Sequence, residues 1–362
     1  MTEFEWKQER IRNLMREKNL DALWLQRVSS VSWATCGAAP YINTATTTGA
    51  VSLLITPTAR YAITNNIEAV RLQTEEQLAE QGWEFRTAVW HAANPAIAEL
   101  TRGLKLGSDF PVAGATDLTN ELARLRANLT PEEGARACAL GGLCAEAMTD
   151  ALRAVRPGQT EFEIAAILGQ HAQARGAQPI VNLIATDERI FQYRHPLPTA
   201  KQLERYAMLV LCGRKWGLVC SITRLVHFGK LPDDVRHKMH ACAQIDATFH
   251  AATRPGEKLS AVFQRAVDAY AATGFADEWH LHHQGGATGY EPREYLGTPT
   301  ANDVVAENQI YAWNPSITGV KSEDTLLVGA TGNTVITATP SLPTFAVTVN
   351  GQTIQRPAIW EV

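Results

Sequence analysis

The densest group of polar side chains that could do chemistry lies at residues 280–290. The run His-Leu-His-His-Gln-Gly-Gly-Ala-Thr-Gly-Tyr places three histidines within four positions. On a strand, His280 and His282 would share one face and His283 would take the other. Imidazole suits zinc, copper and iron, so a transition-metal centre is one interpretation of these histidines.

Two other interpretations of this segment need no metal. The plainer one is a hydrogen-bonded polar strand beside a glycine loop. The one that we favour is a substrate-lining wall. Glycines let a ligand approach the backbone, while His282, Gln284 and Thr288 supply polar contacts.

Three isolated residues are further candidates for chemistry. His195 lies in Tyr-Arg-His-Pro-Leu-Pro, on a loop or a strand end, and histidine is the common acid and base of enzymes. Taken alone, it is more often structural. Glu323 would ordinarily be a solvated turn residue, and Arg293 would ordinarily pair with Glu291 or Glu294. In a cleft, however, an arginine binds a carboxylate through two parallel hydrogen bonds.

The elements that position these residues begin with two helix starts. Thr130 and Thr160 are good N-caps, and each is followed three residues later by a glutamate. These capping boxes predict helices over 131–155 and 161–174. Proline at residue 131 suits the first helical position.

The same pattern returns about a hundred residues later. Arg-Pro-Gly separates the first two helices at 156–158, and it recurs at 254–256 between predicted helices over 236–252 and 260–272. Strand-like segments follow each helix pair. A unit of two helices and strands used twice predicts an internal pseudo-twofold domain. The predicted strands cover residues 180–185, 208–218, 309–313 and 324–328.

Length and composition indicate the number of domains and the class of protein. The 362 residues suit two domains, and the apolar fraction of 45% and charged fraction of 19% are globular values. A strand pair over 49–55 and 60–64, within further helix–strand alternation, predicts a small α/β domain first. We place this domain at 1–128 and the duplicated domain at 129–362.

Charge and hydropathy exclude several classes of partner. The net charge is −4 without a basic block, so neither nucleic acid nor an anionic membrane is expected as a partner. The amino terminus is charged and helix-periodic, unlike a signal peptide. No apolar run approaches the roughly 20 residues of a spanning helix. Six scattered cysteines fit the reduced thiols of a cytoplasmic protein.

The duplicated domain resembles the pita-bread fold of aminopeptidase P, prolidase and creatinase. The resemblance covers about residues 130–335 and implies an α+β pita-bread domain after a smaller α/β creatinase-type N-terminal domain. Five motifs carry it in order beside the helix starts: His-Pro at 195–196, Ser-Ile-Thr-Arg at 221–224 for Asp-Ile-Thr-Arg, Gly-Gly-Ala-Thr-Gly at 285–289 for Gly-His-Gly-Ile-Gly, Asn-Pro-Ser at 314–316 for Glu-Pro-Gly, and Glu-Asp-Thr at 323–325.

The metal ligands of that family do not carry over. Its peptidases bind two divalent ions through two aspartates, a histidine and two glutamates, and a bridged ion pair needs such anionic oxygens. The matching positions fall near Leu211 and at Ser221, Gly286 and Asn314, and only Glu323 keeps its residue type. We therefore expect no dinuclear centre and no cofactor.

Creatinase, a family member that works without metal, suggests how such a site acts. The resemblance implies a metal-independent hydrolase or lyase acting on a C–N bond of a small polar substrate. His195 would move the proton, Glu323 would anchor a cationic or donor group, and Arg293 would bind an acid group. Thr223 lies near a second creatinase carboxylate, which speaks against creatine itself. Further predicted contacts are His282, His283, Gln284, Thr288, Tyr290, Trp313, Asn314 and Arg224.

Two alternatives stay open at this stage. One is an Xaa-Pro-type metalloaminopeptidase with relocated ligands, drawn from His280, His282, His283 and Glu323. The other is a non-catalytic relative that binds a peptide or protein in the same cleft. Family members with this N-terminal domain are often dimers whose partner closes the active site, so the resemblance also implies a homodimer.

Overall fold

The computed structural model describes the whole chain, Met1–Val362, and the chain divides into two compact units. The first is Met1–Arg126 and the second is Ala127–Val362. Each has its own hydrophobic core. No helix combines the length and the apolar character that crossing a bilayer requires. All six cysteines are free thiols.

The first unit is built on a six-stranded mixed sheet in the order β4-β3-β2-β1-β5-β6. The predicted strand pair is confirmed as β2 and β3, joined antiparallel across a turn in which Thr56 N–H donates to Ala59 O. The helices are α1 (Glu3–Glu17), α2 (Val28–Ala34), α3 (Ala69–Thr74), α4 (Ala96–Leu100) and α5 (Thr119–Ala127). The strands are β1 (Ala22–Arg27), β2 (Thr48–Ile55), β3 (Arg60–Asn65), β4 (Glu84–Ala88), β5 (Leu106–Ser108) and β6 (Thr116–Asp117).

The second unit opens on the predicted helix pair. The side chains of Thr130 and Thr160 accept from the backbone N–H of Glu133 and Glu163, and both glutamates complete their capping boxes. Both helix starts are thus confirmed. The elements of this half are α6 (Pro131–Ala154), α7 (Glu161–Ala174), β7 (Gln178–Thr186), α8 (Glu188–Gln192), β8 (Tyr206–Lys215) and β9 (Leu218–His227).

The strand predicted over 208–218 is in fact the greater part of β8 plus a turn. Trp216 and Gly217 both have positive φ, 53° and 75°, as a two-residue type I′ hairpin requires. The chain therefore reverses there and returns as β9, which pairs antiparallel with β8 along its whole length. This hairpin forms the centre of a four-stranded sheet, in which β7 pairs with β8 and the last strand of the chain, Trp360–Glu361, pairs with β9.

The helix pair and its strands then recur, as the repeat predicted. The strands β10, β12 and β15 form the middle of a second sheet, in the order β11-β10-β12-β15-β16. The elements are α9 (Asp233–Ala252), α10 (Leu259–Ala272), a 3-10 turn (Glu278–Leu281), β10 (Gly285–Thr288), β11 (Tyr295–Leu296), β12 (Ile310–Trp313), β13 (Ser316–Ile317), β14 (Val320–Lys321), β15 (Asp324–Leu327) and β16 (Thr334–Val335).

Two features of the second unit bear on function. Its two sheets meet where Thr223 of β9 bridges to Glu323, immediately before β15, with Thr223 N–H donating to Glu323 O at 3.2 Å. This junction brings motif residues of both halves together. The chain then ends in a hairpin and a short edge strand, β17 (Thr344–Val349), β18 (Gln352–Pro357) and β19 (Trp360–Glu361).

Candidate active site

The loop that carries His195 connects α8 to β8 and is held by two carboxylates. Glu161, at the start of α7, accepts from the N–H and hydroxyl groups of Thr186 and Thr199. Asp187 accepts from the backbone N–H groups of residues 204–206. These hydrogen bonds tie the loop to the start of α7 and to the residue before α8, and they thereby restrain His195.

The three-histidine segment is not a strand, which corrects the sequence-based prediction. His280 lies in the 3-10 turn, where its N–H donates to Asp277 O, and the strand begins only at Gly285. The ring of His280 packs against that of Trp279, tilted by 31° at a centroid distance of 3.7 Å. His282 is the first extended residue after the turn. His280 is therefore no longer a candidate site residue, whereas His282 and His283 remain candidates.

His195 completes a different trio. Its Nε2 lies 3.1 Å from Nε2 of His282, a hydrogen bond between two imidazoles of which one donates and the other accepts. The ring of His283 lies 4.5 Å from that of His282 and 5.5 Å from that of His195. One nitrogen from each of the three rings fits within 4.8 Å. We call this group the histidine cluster.

All three imidazoles are kept neutral. Burial, and next the ammonium of Lys321, lower the pKa of His195 and bring the pKa of His282 far below its ordinary value. Burial and the Arg293 guanidinium lower the pKa of His283 to about 4. Neutral imidazoles offer lone pairs to a metal or a proton at physiological pH.

Beside the histidine cluster, Glu323 is almost completely buried and accepts from three side chains. Its Oε2 accepts from Thr223 Oγ1 at 2.5 Å and from Lys321 Nζ at 2.9 Å, and its Oε1 accepts from Arg293 Nη2 at 3.3 Å. Burial raises the pKa of the Glu323 carboxyl, but Lys321, Arg293 and Thr223 together outweigh burial and lower it. The carboxylate is therefore ionised and its oxygens are engaged.

Two of the three histidines, His195 and His283, face one cavity of about 290 Å³ together with the charged groups of Glu323, Lys321 and Arg293. Its apolar side comes from β7 and β8, which alternate inward and outward residues. Its polar side joins the His195 loop to residues near β10, β12 and β15. The lining residues are Val181, Leu183, His195, Val210, Cys212, His283, Pro292, Arg293, Asn314, Lys321 and Glu323.

The strand pairing beside the cavity shows which residues occupy the positions of the two aspartates in the family's dinuclear metal site. Residues opposite each other on antiparallel strands share a face, and Cys212 and Val210 oppose Ser221 and Thr223. The first aspartate position thus falls on Val210 or Cys212, while Leu211 takes the other face. Neither is a carboxylate, and burial raises the pKa of the Cys212 thiol.

The other positions that match the family's metal ligands also lack suitable ligand groups. Ser221 shares a hydrogen bond with Cys212 Sγ at 3.2 Å, Gly286 has no side chain, and Asn314 presents a neutral amide whose buried Oδ1 has no partner. With Glu323 as the single carboxylate, these residues do not fit a pair of divalent ions.

Six predicted substrate contacts lie outside the cavity lining. One is His282, which is hydrogen-bonded to His195, and the other five are engaged elsewhere in the fold. Trp313 is fully buried and stacks on Phe249 in the core. Arg224 pairs with Asp324. Gln284 accepts from Tyr270, Thr288 donates to main-chain carbonyls, and Tyr290 hydroxyl donates to Glu133. Their polar groups are already satisfied within the fold.

Lys321 is the site residue that sequence reasoning missed. Its side chain is only 5% exposed and contacts Glu323 directly. The available indication was spacing, because residues two apart on an extended chain point to the same face. Lys321 stands two positions before Glu323, so it was the residue most able to join that carboxylate.

Comparison with known proteins shows the family of the chain. The sequence model of metallopeptidase family M24 matches residues 137–330, more than half of the chain. The chain belongs to family M24. It adopts the pita-bread fold with a smaller N-terminal domain, as the five motifs predicted. A comparison with curated protein sequences finds no match.

Solved structures of similar fold cover nearly the whole chain at low identity. An Xaa-Pro dipeptidase from Bacillus anthracis is 18% identical, with a TM-score of 0.81 over 99% of this chain and 100% of that one. The prolidase from Pyrococcus horikoshii OT3 is 19% identical, with a TM-score of 0.78 over 92% and 98%. The N-terminal domain of a FACT complex subunit from Cicer arietinum (chickpea) is 12% identical, with a TM-score of 0.69 over 93% and 94%. This M24 fold thus occurs in proteins described as peptidases and in a subunit of a complex.

Proposed function

We propose that this M24 protein is a C–N hydrolase of the Xaa-Pro peptidase type, acting on short substrates in the His195 cavity. The observation that carries the proposal is that His195 and His283 of the histidine cluster, Glu323 and two cations line one small cavity. Structural neighbours described as Xaa-Pro dipeptidase and prolidase support the substrate class. They favour this alternative over the metal-independent, creatinase-like prediction.

The dimensions of the cavity agree with a short substrate. About 290 Å³ lies at the lower end of ligand-site volumes, which suits a dipeptide better than a long chain. Val181, Leu183 and Val210 form an apolar wall that would hold a side chain and exclude water. Buried hydrogen-bonding groups opposite that wall would orient the peptide bond.

Relocated ligands would account for the metal in this proposal. His195, His282 and His283 offer one nitrogen each within 4.8 Å, and three histidines with an open fourth position are the ligand set of a known class of catalytic zinc site. A divalent ion there would activate water and polarise the scissile carbonyl. The ligand set drawn from sequence is thereby changed, with His195 replacing His280.

A second candidate follows from one specific contact. The 3.1 Å hydrogen bond between His195 and His282 holds His195 as a neutral imidazole with a defined partner. Such a group can act as acid and base without a metal. On this alternative the reaction is the metal-independent hydrolysis predicted from sequence, with His195 moving the proton.

Turnover with and without metal separates the candidates. Purified protein is incubated with Gly-Pro and Ala-Pro, with added Zn²⁺, Mn²⁺ or Co²⁺ or with EDTA, and amino-acid release is followed by mass spectrometry. We expect metal-dependent cleavage that falls at least a hundredfold in H283Q and H195Q. The control H280Q, outside the histidine cluster, should keep wild-type activity.

Each other outcome has a definite meaning. Cleavage that persists in EDTA, by protein that retains no metal on elemental analysis, replaces the first candidate with the second. Absence of cleavage under every condition, or equal loss in H280Q and H283Q, contradicts a hydrolytic role for this cavity. The non-catalytic peptide-binding alternative would then stand.

A further inference from the structure

An ion pair lies beside the hydrogen bond between His195 and His282. Arg194 Nη2 donates to Glu278 Oε2 at 2.8 Å, and the two side chains are 16% and 19% exposed. Arg194 directly precedes His195, and Glu278 stands four positions before His282, in the 3-10 turn. The ion pair therefore joins the same two segments as the imidazole hydrogen bond, which are the His195 loop (residues 193–205) and the 3-10 turn with the residue after it.

Glu278 also binds a third segment. Thr318 lies in the turn between β13 and β14. Its backbone N–H donates to Oε2 of Glu278 at 2.9 Å, and its hydroxyl donates to Oε1 at 2.7 Å while it accepts from Arg194 Nη2 at 2.9 Å. Strand β14 leads directly to the charged residues of the cavity. Glu278 thus joins three separate segments that carry site residues.

The large side chains on either side of His195 are exposed. Tyr193 and Leu197 are 49% and 71% exposed, so they bury little apolar surface against the domain. The carboxylate contacts described above involve residue 199 and residues 204–206, further along the chain. Segments with few buried contacts open most readily. The ion pair at the residue preceding His195 is therefore a direct restraint on where this imidazole lies.

We propose that Glu278 is a positioning residue for His195. By binding Arg194 and Thr318, it fixes the His195 loop against the 3-10 turn and thereby holds the imidazole in the histidine cluster. Neither Glu278 nor Arg194 lines the cavity, so both act through that cluster. The inference deepens the proposed function and rests on it for the reaction, since both candidate mechanisms need His195 at the reacting atoms.

Loss of the Glu278 charge should release the loop. Arg194 Nη2 is bound by Glu278 and Thr318, whereas the buried Nε of Arg194 has no partner. Without the carboxylate, a guanidinium largely withdrawn from water keeps only neutral acceptors, and water outside solvates it better. We therefore expect the loop to swing outward in E278Q, which separates His195 from His282 and uncovers the otherwise buried His282 ring.

Chemical modification reports on this movement without any substrate. Diethyl pyrocarbonate acylates neutral imidazoles that solvent reaches, and tandem mass spectrometry of proteolytic peptides gives the rate at each histidine. We expect His282 to react at least tenfold faster in E278Q and in R194M than in wild type. The exposed His91 of the first unit should react at the same rate in every variant. E278D, which keeps the charge, should stay closer to wild type than E278Q does.

The matched control is another partly buried ion pair, in the first unit. Glu68 and Arg71 lie 3.2 Å apart, with side chains 10% and 29% exposed, and E68Q should leave the rate at His282 unchanged. Turnover gives a second reading. For Gly-Pro, kcat should fall at least tenfold in E278Q with KM within threefold of wild type, because a displaced His195 impairs the chemical step more than binding.

The positioning role is overturned if His282 reacts at the wild-type rate in both E278Q and R194M, or if E68Q or E278D accelerates the reaction as much as E278Q does. Circular dichroism checks the folding of each variant, and R194M breaks the same pair if E278Q is unstable. Failure of the two proposals is distinguishable. Faster modification in E278Q without cleavage of any peptide by wild-type protein would reject the hydrolase alone, whereas cleavage with an unchanged kcat in E278Q would reject the positioning role alone.

Discussion

At the scale of single residues, the site is organised around Glu323. This carboxylate is the one residue predicted to match the family's ligand set, and it contacts two cations, Lys321 and Arg293. Guanidinium and ammonium groups neutralise a buried carboxylate through charge-assisted hydrogen bonds. Buried ion pairs of this kind are sensitive to the loss of one partner.

Glu323→Gln should therefore be strongly destabilising. The change leaves Lys321 and Arg293 without their counter-charge, and breaking a buried pair costs about 3–5 kcal/mol. The double variant E323Q/K321M removes one of the stranded cations and should recover part of the loss. Urea denaturation of the two single variants and the double variant gives the coupling energy.

The control is a carboxylate in an exposed ion pair. Glu257 contacts Arg265 at 2.9 Å, with side chains 34% and 46% exposed, and such pairs contribute about 1 kcal/mol at most. If E323Q is no more damaging than E257Q, the cluster around Glu323 is not the buried ion network described above.

At the scale of elements, the C-terminal hairpin is fastened to the domain by one fully buried arginine. Arg356 of β18 donates to Asp246 of α9 and to Asp324 of β15, both at 2.6 Å. Arg224 of β9 binds the other oxygen of Asp324 at 2.8 Å. Four elements thus meet in one network of charges beside the site residue Glu323.

Arg356→Met should cost about 3–5 kcal/mol, because it leaves Asp246 and Asp324 buried with too little positive charge. Lysine at this position keeps the charge but lacks the planar guanidinium, so R356K should lie between R356M and wild type. Chemical denaturation measures both. Equal stability of R356M and the exposed-site control R265M would show that the network contributes nothing net.

The last strand, β19, is held by an ion pair between Glu361 and Arg236, and the stabilisation from this pair depends on pH. The Arg236 guanidinium, and next the Leu231 N–H, lower the pKa of Glu361 to about 2 from an ordinary 4.5. Since the folded-state pKa is depressed, the stabilisation is present above pH 4.5 and is lost as pH falls towards 2.

E361Q should accordingly melt below wild type at pH 7, and the difference in Tm should shrink below pH 4.5 and disappear near pH 2. Thermal melts at a series of pH values measure this. E307Q, at an exposed glutamate, is the control and should show no such trend. A difference in Tm that is independent of pH would contradict the assignment of the pKa.

At the scale of the whole molecule, the complete candidate site belongs to the second unit. The histidine cluster, Lys321, Glu323 and Arg293 all lie within Ala127–Val362, a unit with its own core. We expect a fragment of residues 127–362 to unfold cooperatively in thermal melts. A fragment without a cooperative transition would show that the core of this unit is insufficient by itself.

Sequence reasoning located part of the site and missed the rest for definite reasons. His195, His283, Arg293, Asn314 and Glu323 were all predicted and all line the cavity. Trp313 and Tyr290 were predicted from the same motifs, yet they pack inside the domain. Polarity and motif position identify candidates, but only side-chain direction and burial decide which of them reach the cavity.

The sequence by itself determined the helix starts and the repeated unit, and it predicted the loss of the dinuclear ligands. Capping boxes depend on groups three residues apart, and a missing carboxylate is evident from residue type alone. Only the tertiary structure decided that His195 meets His282, 87 positions away, and that two cations share Glu323. Those contacts form when loop closure brings distant segments together, and the resulting charge balance is a property of the folded cavity.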